Sequence, residues 1–104
     1  MQSWDVRGYI GGMAALATPT PMEVAVEETV RSFMPPKGIR LHRVYFDEDH
    51  TGDPAIRVIY VVTRKVELTK QRVKELSDFR RSVASALWEL QTGRIPYVTY
   101  GVAR

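Results

Sequence analysis

Cysteine is absent from all 104 residues of this chain. That excludes disulfide staples, thiolate nucleophiles, iron–sulfur ligation and every cysteine-based zinc site. Histidine is scarce as well, with His42 and His50 the two present. No apolar run approaches the roughly 20 residues that a membrane-spanning helix needs. Ser77, Ser82 and Ser85 sit inside a helical pattern, without the glycines of a nucleophile elbow or a histidine base beside them. Paired carboxylates for acid–base work lack a recognisable cleft. The protein is therefore expected not to be an enzyme, and to carry no cofactor.

What is present belongs to a single small domain. The hydrophobic fraction of 44% is ordinary for a packed core, and no segment is disordered by composition. The net charge of +3 is unevenly spread. Residues 1–64 sum to −1 and residues 65–104 to +4; an evenly solvated helix face is the simpler account of the basic half, and an acidic partner, nucleic acid or protein, is the other. Ala15-Leu16-Ala17 has the spacing of a leader cleavage site. Its surroundings, with Gly8, Gly11, Gly12 and one Arg7 against Asp5, do not make a leader, so a cytoplasmic location is expected.

Along the chain, Trp4, Val6, Gly8 and Ile10 alternate with Asp5, Arg7 and Tyr9 as a short strand, weakened by its glycines. Residues 1–20 read as an N-terminal extension, and 21–104 as one αββαβ domain. Thr20, Pro21 and Glu23 form a capping-box start for a helix over 21–34, stopped by Pro35-Pro36. Its apolar stripe is Met22, Val26, Val30 and Phe33 or Met34. Strands are expected at 40–47, 55–63 and 95–102. The second is apolar on both faces, which points to a central strand or to one whose second face meets a partner. The first changes apolar parity between Leu41 and Val44, which calls for a bulge. A second helix over 69–92 starts at Thr69 with a Leu68–Val73 staple and ends at Gly93. Val73, Leu76, Val83, Leu87 and Leu90 form its stripe, widened by Phe79 and Trp88. The fold class is α+β, a two-layer (β)αββαβ sandwich of ferredoxin-like or KH-like type, with two helices on one face of a mostly antiparallel sheet.

The densest cluster of functional groups is Asp47-Glu48-Asp49-His50-Thr51-Gly52-Asp53, between the first two strands. Asp47, Asp49, Thr51 and Gly52 match positions 1, 3, 5 and 6 of an EF-hand loop, but Val58 stands where the bidentate glutamate belongs. A solvated hairpin turn is the simpler account, with Gly52 at positive φ and Asp47, Asp49, His50 and Asp53 mostly exposed. No metal is expected there. His42, on a strand, reads as a packed or surface residue. Gly8-Tyr9-Ile10-Gly11 matches the KH loop pattern formally, yet precedes the first helix instead of joining two. The strand at 55–62 lacks the aromatics of an RRM, which disfavours base stacking there.

The order αββαβ resembles ribosome-binding factor A, a KH-like protein. The features that carry the resemblance are the amphipathic first helix, the hairpin, the long helix with Arg80-Arg81 and the last strand at Arg94-Ile95-Pro96. It implies RNA binding through a basic helix, with Arg72, Lys74, Arg80 and Arg81 on phosphates. A second resemblance covers most of residues 39–98. Arg43, Asp47, Asp49-His50-Thr51-Gly52-Asp53, Leu87-Trp88 and Arg94-x-Pro96-Tyr97-Val98 together look like small uncharacterised bacterial proteins that accompany short neighbouring genes, as toxin–antitoxin pairs do. It implies a partner-binding role. The leading expectation is a non-enzymatic protein-interaction module, antitoxin-like or a regulatory subunit. Its partner, from an adjacent gene or a second copy of itself, would be met through Asp47, Asp49, His50, Asp53, Trp4, Tyr97 and Tyr100. RNA binding of the ribosome-factor kind is the alternative.

Overall fold

The computed structural model describes residues 18–63 and 67–102. The strand pattern at 4–10, with Trp4, and the basic pair Arg64-Lys65 lie outside the described residues.

Helix α1 (Pro21–Arg31) begins where side chains satisfy the free N–H groups of its first turn. The Thr20 hydroxyl accepts from the Glu23 N–H at 3.1 Å, and the Glu23 carboxylate accepts from the Thr20 N–H at 2.9 Å. The expected capping box is present, but the helix ends at Arg31 instead of residue 34. Two local effects end it. The Ser32 hydroxyl bonds back to the Thr29 carbonyl at 2.6 Å, and Pro35 clashes with a helical conformation at Met34. Met34 is then 88% exposed and leaves the apolar stripe. Phe33 meets Phe79 edge to face, with centroids 6.3 Å apart.

Strand β1 (Ile39–Glu48) pairs antiparallel with β2 (Pro54–Val62), and β2 pairs parallel with β3 (Ile95–Val102). The sheet order β1-β2-β3 makes β2 central, one of the two readings its apolar faces allow. One of the two pairings is parallel, so the sheet is mixed and not mostly antiparallel. The cause is α2 (Lys70–Glu89). Its 20 residues extend about 30 Å, roughly the length of β2, so it returns the chain to the end where β2 started. The register slips between Leu41 and Arg43, and the exposed His42 sits at the slip. That bulge brings Ile39, Leu41, Val44 and Phe46 to the helix face together.

Val26, Val30, Ile39, Ile56, Val58, Tyr60, Val83, Leu87 and Val98 form the core between the helices and this face. Thr69 caps α2, accepting from the Arg72 N–H at 3.1 Å. The helix ends at Glu89, where Gln91, at φ 54°, takes the left-handed position expected of Gly93. Leu68 is 70% exposed and Val73 47%, so they do not close a buried staple. Trp88 is 57% exposed and does not widen the stripe. One residue is a rotation of about 100° around a helix, which carries Trp88 away from the face that Leu87 buries.

Among the described residues, Tyr60 is the largest fully buried side chain, and its hydroxyl has no hydrogen-bond partner. Burial pushes its phenol up to about 12. Phe79 lies edge-on at 5.1 Å, so the site is built for a ring and not for a hydroxyl. Desolvating an unpaired hydroxyl opposes folding. Tyr60→Phe is therefore expected to raise the melting temperature, by up to roughly 8 °C. A clear fall in a calorimetric scan would mean that the hydroxyl is bonded after all.

Candidate functional site

An aspartate at a hairpin tip can bond the backbone two residues on, and Asp49 does so. Its Oδ1 accepts from the Thr51 N–H at 2.9 Å, the Thr51 hydroxyl at 2.6 Å and the Asp53 N–H at 3.0 Å. The backbone closes around it, with Asp49 N–H to Asp53 O at 2.8 Å and Gly52 N–H to Asp49 O at 2.9 Å. Gly52 supplies the required φ of 88°. The other oxygen, Oδ2, accepts from the Tyr97 hydroxyl at 2.9 Å. Asp49 is consequently 9% exposed, against the expectation of an exposed acid. The Thr51 hydroxyl bond, with those from the Asp53 and Thr51 backbone and from Tyr97, holds its carboxyl far below the ordinary range despite the opposing cost of burial. The same contact raises the Tyr97 phenol.

Two arginines extend this clasp. Arg57 Nε donates to Asp47 at 2.9 Å, and its guanidinium lies 4.9 Å from the Tyr97 ring centroid. Arg94 donates to the carbonyls of Asp47, at 3.2 Å, and Ala55, at 3.0 Å, so it bridges both strands of the hairpin. Of the acidic residues expected to face a partner, Asp47 and Asp49 thus work inside the protein, and Tyr97 joins them. His50 and Asp53 are exposed on the rim of the turn. Among the described residues, no three His, Asp or Glu side chains converge as a metal site would require. Tyr100 stands apart, donating to the Leu76 carbonyl at 2.7 Å and pinning β3 to α2.

The basic helix is largely matched by its own acids. Arg72 pairs with Glu75 and donates to the Lys37 carbonyl. Lys74 and Arg81 flank Asp78 at 2.7 and 3.1 Å, and their bonds lower its carboxyl. Arg80 has no such partner among the described residues. It lines, with Val73, Leu76, Ser77, Thr99 and Tyr100, a groove of about 360 Å³ between α2 and β3. Among the described residues, no strand pairs with β3 on the side away from β2, and the groove runs along that edge.

The sheet's other face is covered by neither helix. Its central row runs Tyr45, Arg57, Tyr97 across the three strands, and the next row runs Arg43, Ile59, Thr99. The Arg43 guanidinium lies 4.4 Å from the Tyr45 ring centroid. Arg57 and Tyr45 were not singled out from the sequence. The alternation Arg43-Tyr45-Asp47 held the signal, but the row exists only once the register and the bulge are known. Comparison of the chain with protein-family profiles, curated proteins and solved structures returned no match.

Proposed function

We propose that the protein is a non-enzymatic protein-interaction module, a regulatory or antitoxin-like subunit of a bacterial gene pair working in the cytoplasm. The observation that carries this is the β3 edge, unpaired among the described residues, beside the α2 groove. An exposed edge offers unpaired backbone groups to an added strand, and a flanking groove selects its side chains. Exposed Val73 contributes apolar surface there and Arg80 a charge. The acidic clasp supports the same reading, because its groups are spent on one another and none is poised for proton transfer. Among the described residues, no helix is long and apolar enough to cross a membrane. The finer fold is taken as KH-like, since β2 and β3 pair directly where a ferredoxin-like split would set a strand between them. RNA contact through Arg72, Lys74, Arg80 and Arg81 has less behind it, since three of the four are already paired with carboxylates.

Co-expression with the product of the adjacent gene tests the proposal. A stoichiometric complex is expected on size-exclusion chromatography, weakened at least about tenfold in affinity by Val73→Glu or Arg80→Glu, both at exposed positions. A complex indifferent to both substitutions would place the interface elsewhere. A chain that elutes alone beside its neighbour would sink the gene-pair assignment.

A further inference from the structure

We infer that the sheet face turned away from the helices binds single-stranded RNA, stacking bases on Tyr45 and Tyr97 and meeting phosphates with Arg40 and Arg43. This goes beyond the β3-edge reading and uses a different surface. Two features coincide there. The first is charge: Arg40 and Arg43 are exposed at the end of the face away from the turn, and neither forms an ion pair among the described residues. The acids lie at the other end, where Asp47 is bonded to Arg57 and Asp49 accepts from the Tyr97 hydroxyl. The face therefore offers two guanidinium groups that no carboxylate of the described fold neutralises, with Arg43 resting on the Tyr45 ring, and a phosphate backbone complements such charge.

The second is the aromatic row. Tyr45 and Tyr97 stand opposite the two sides of Arg57 in register. Asp49 holds the Tyr97 hydroxyl and Arg57 packs on its ring, so the ring is oriented before any ligand arrives. Aromatic faces and arginine planes are the two surfaces on which unpaired bases stack. Two strand spacings separate the tyrosines, about 10 Å. That exceeds the roughly 3.4 Å step of a stacked duplex, so neighbouring bases must be splayed to reach both rings. An acidic peptide would use the arginines and leave the rings idle. RNA is chosen over DNA because unpaired bases in a cell are mostly those of RNA loops and ends, the usual targets of base-by-base recognition.

The test is fluorescence anisotropy of the full chain with a labelled oligouridine, in a salt series. Binding is expected at low salt and should weaken as salt rises. Tyr45→Ala should weaken it by roughly 5- to 150-fold, the span of one lost base stack, whereas Tyr45→Phe should leave it nearly unchanged. Arg43→Glu should weaken binding and reduce the salt slope by about 0.7 or more. Val73→Glu, in the α2 groove, should change nothing, which separates this inference from the β3-edge proposal. Equal affinity for duplex RNA, displacement by polyglutamate as readily as by oligouridine, or indifference to Tyr45→Ala would each overturn it. So would an absence of binding at low salt. Markedly tighter binding of oligothymidine would overturn the choice of RNA.

Discussion

Leu87→Ala is expected to lower the unfolding free energy by about 2–5 kcal/mol, the usual cost of emptying a buried leucine site. Leu87 is 1% exposed, in a core that draws on both helices and all three strands. Domains of this kind hold only about 5–15 kcal/mol in total, so the loss would be a large share of stability. Urea unfolding should show it as a lower midpoint with an unchanged slope. Trp88→Ala, one residue along but 57% exposed, should stay within about 0.5 kcal/mol. Equal losses at the two positions would mean that α2 is rotated from the orientation described.

The second large effect is expected at Asp49. Asp49→Ala removes the acceptor for four donors, from Thr51 N–H, Thr51 hydroxyl, Asp53 N–H and Tyr97 hydroxyl. Three of those donors belong to the turn itself, and the fourth ties it to β3. The melting temperature should fall by about 10 °C or more. Asp49→Asn keeps the shape but loses the charge, and should fall by less. The pH dependence follows from the direction of the shift. The native carboxyl lies far below its ordinary value, so its contribution is complete above the unfolded value of about 3.9. It fades as pH falls below that value, and is gone once pH is below the native one. The gap in melting temperature between wild type and Asp49→Asn should therefore be widest near neutrality and narrow in acid. A gap independent of pH would mean that Asp49 is not charged in the clasp.

What was legible in the chain was mostly what is local. Thr20, Pro21 and Glu23 lie within four residues, so the start of α1 could be read directly. The turn at Gly52, the bulge near His42 and the central place of β2 were legible for the same reason. Each leaves its mark in a short window of apolar alternation or turn chemistry. Helix ends were less legible, because Ser32 ends its helix through a hydroxyl bond that any serine or threonine can make, and Gln91 takes a left-handed backbone that residues other than glycine rarely adopt. Trp88 was misplaced because a large aromatic on a helix is usually buried, and only the packing of Val83 and Leu87 sets which way the helix faces. The acidic cluster was visible at once, but its use was not. What converts Asp49 from a surface acid into a buried acceptor is Tyr97, 48 residues away. Until the parallel pairing of β3 with β2 is known, nothing brings those two together.

That separation has a kinetic consequence. The β1–β2 hairpin closes across a short turn, an event of microseconds in chains of this kind. Pairing β3 with β2 must wait for the chain through α2 to be gathered up, at a greater cost in loop entropy. The bonds from Tyr97 to Asp49 and from Arg94 to Asp47 and Ala55 span 39 to 48 residues, so they can form only once that last strand has arrived. They add little to the barrier on the way in, and must break early on the way out. In such an order of events these bonds from β3 govern how long the folded molecule lasts more than how fast it is reached. They are a latch, set after the door has closed.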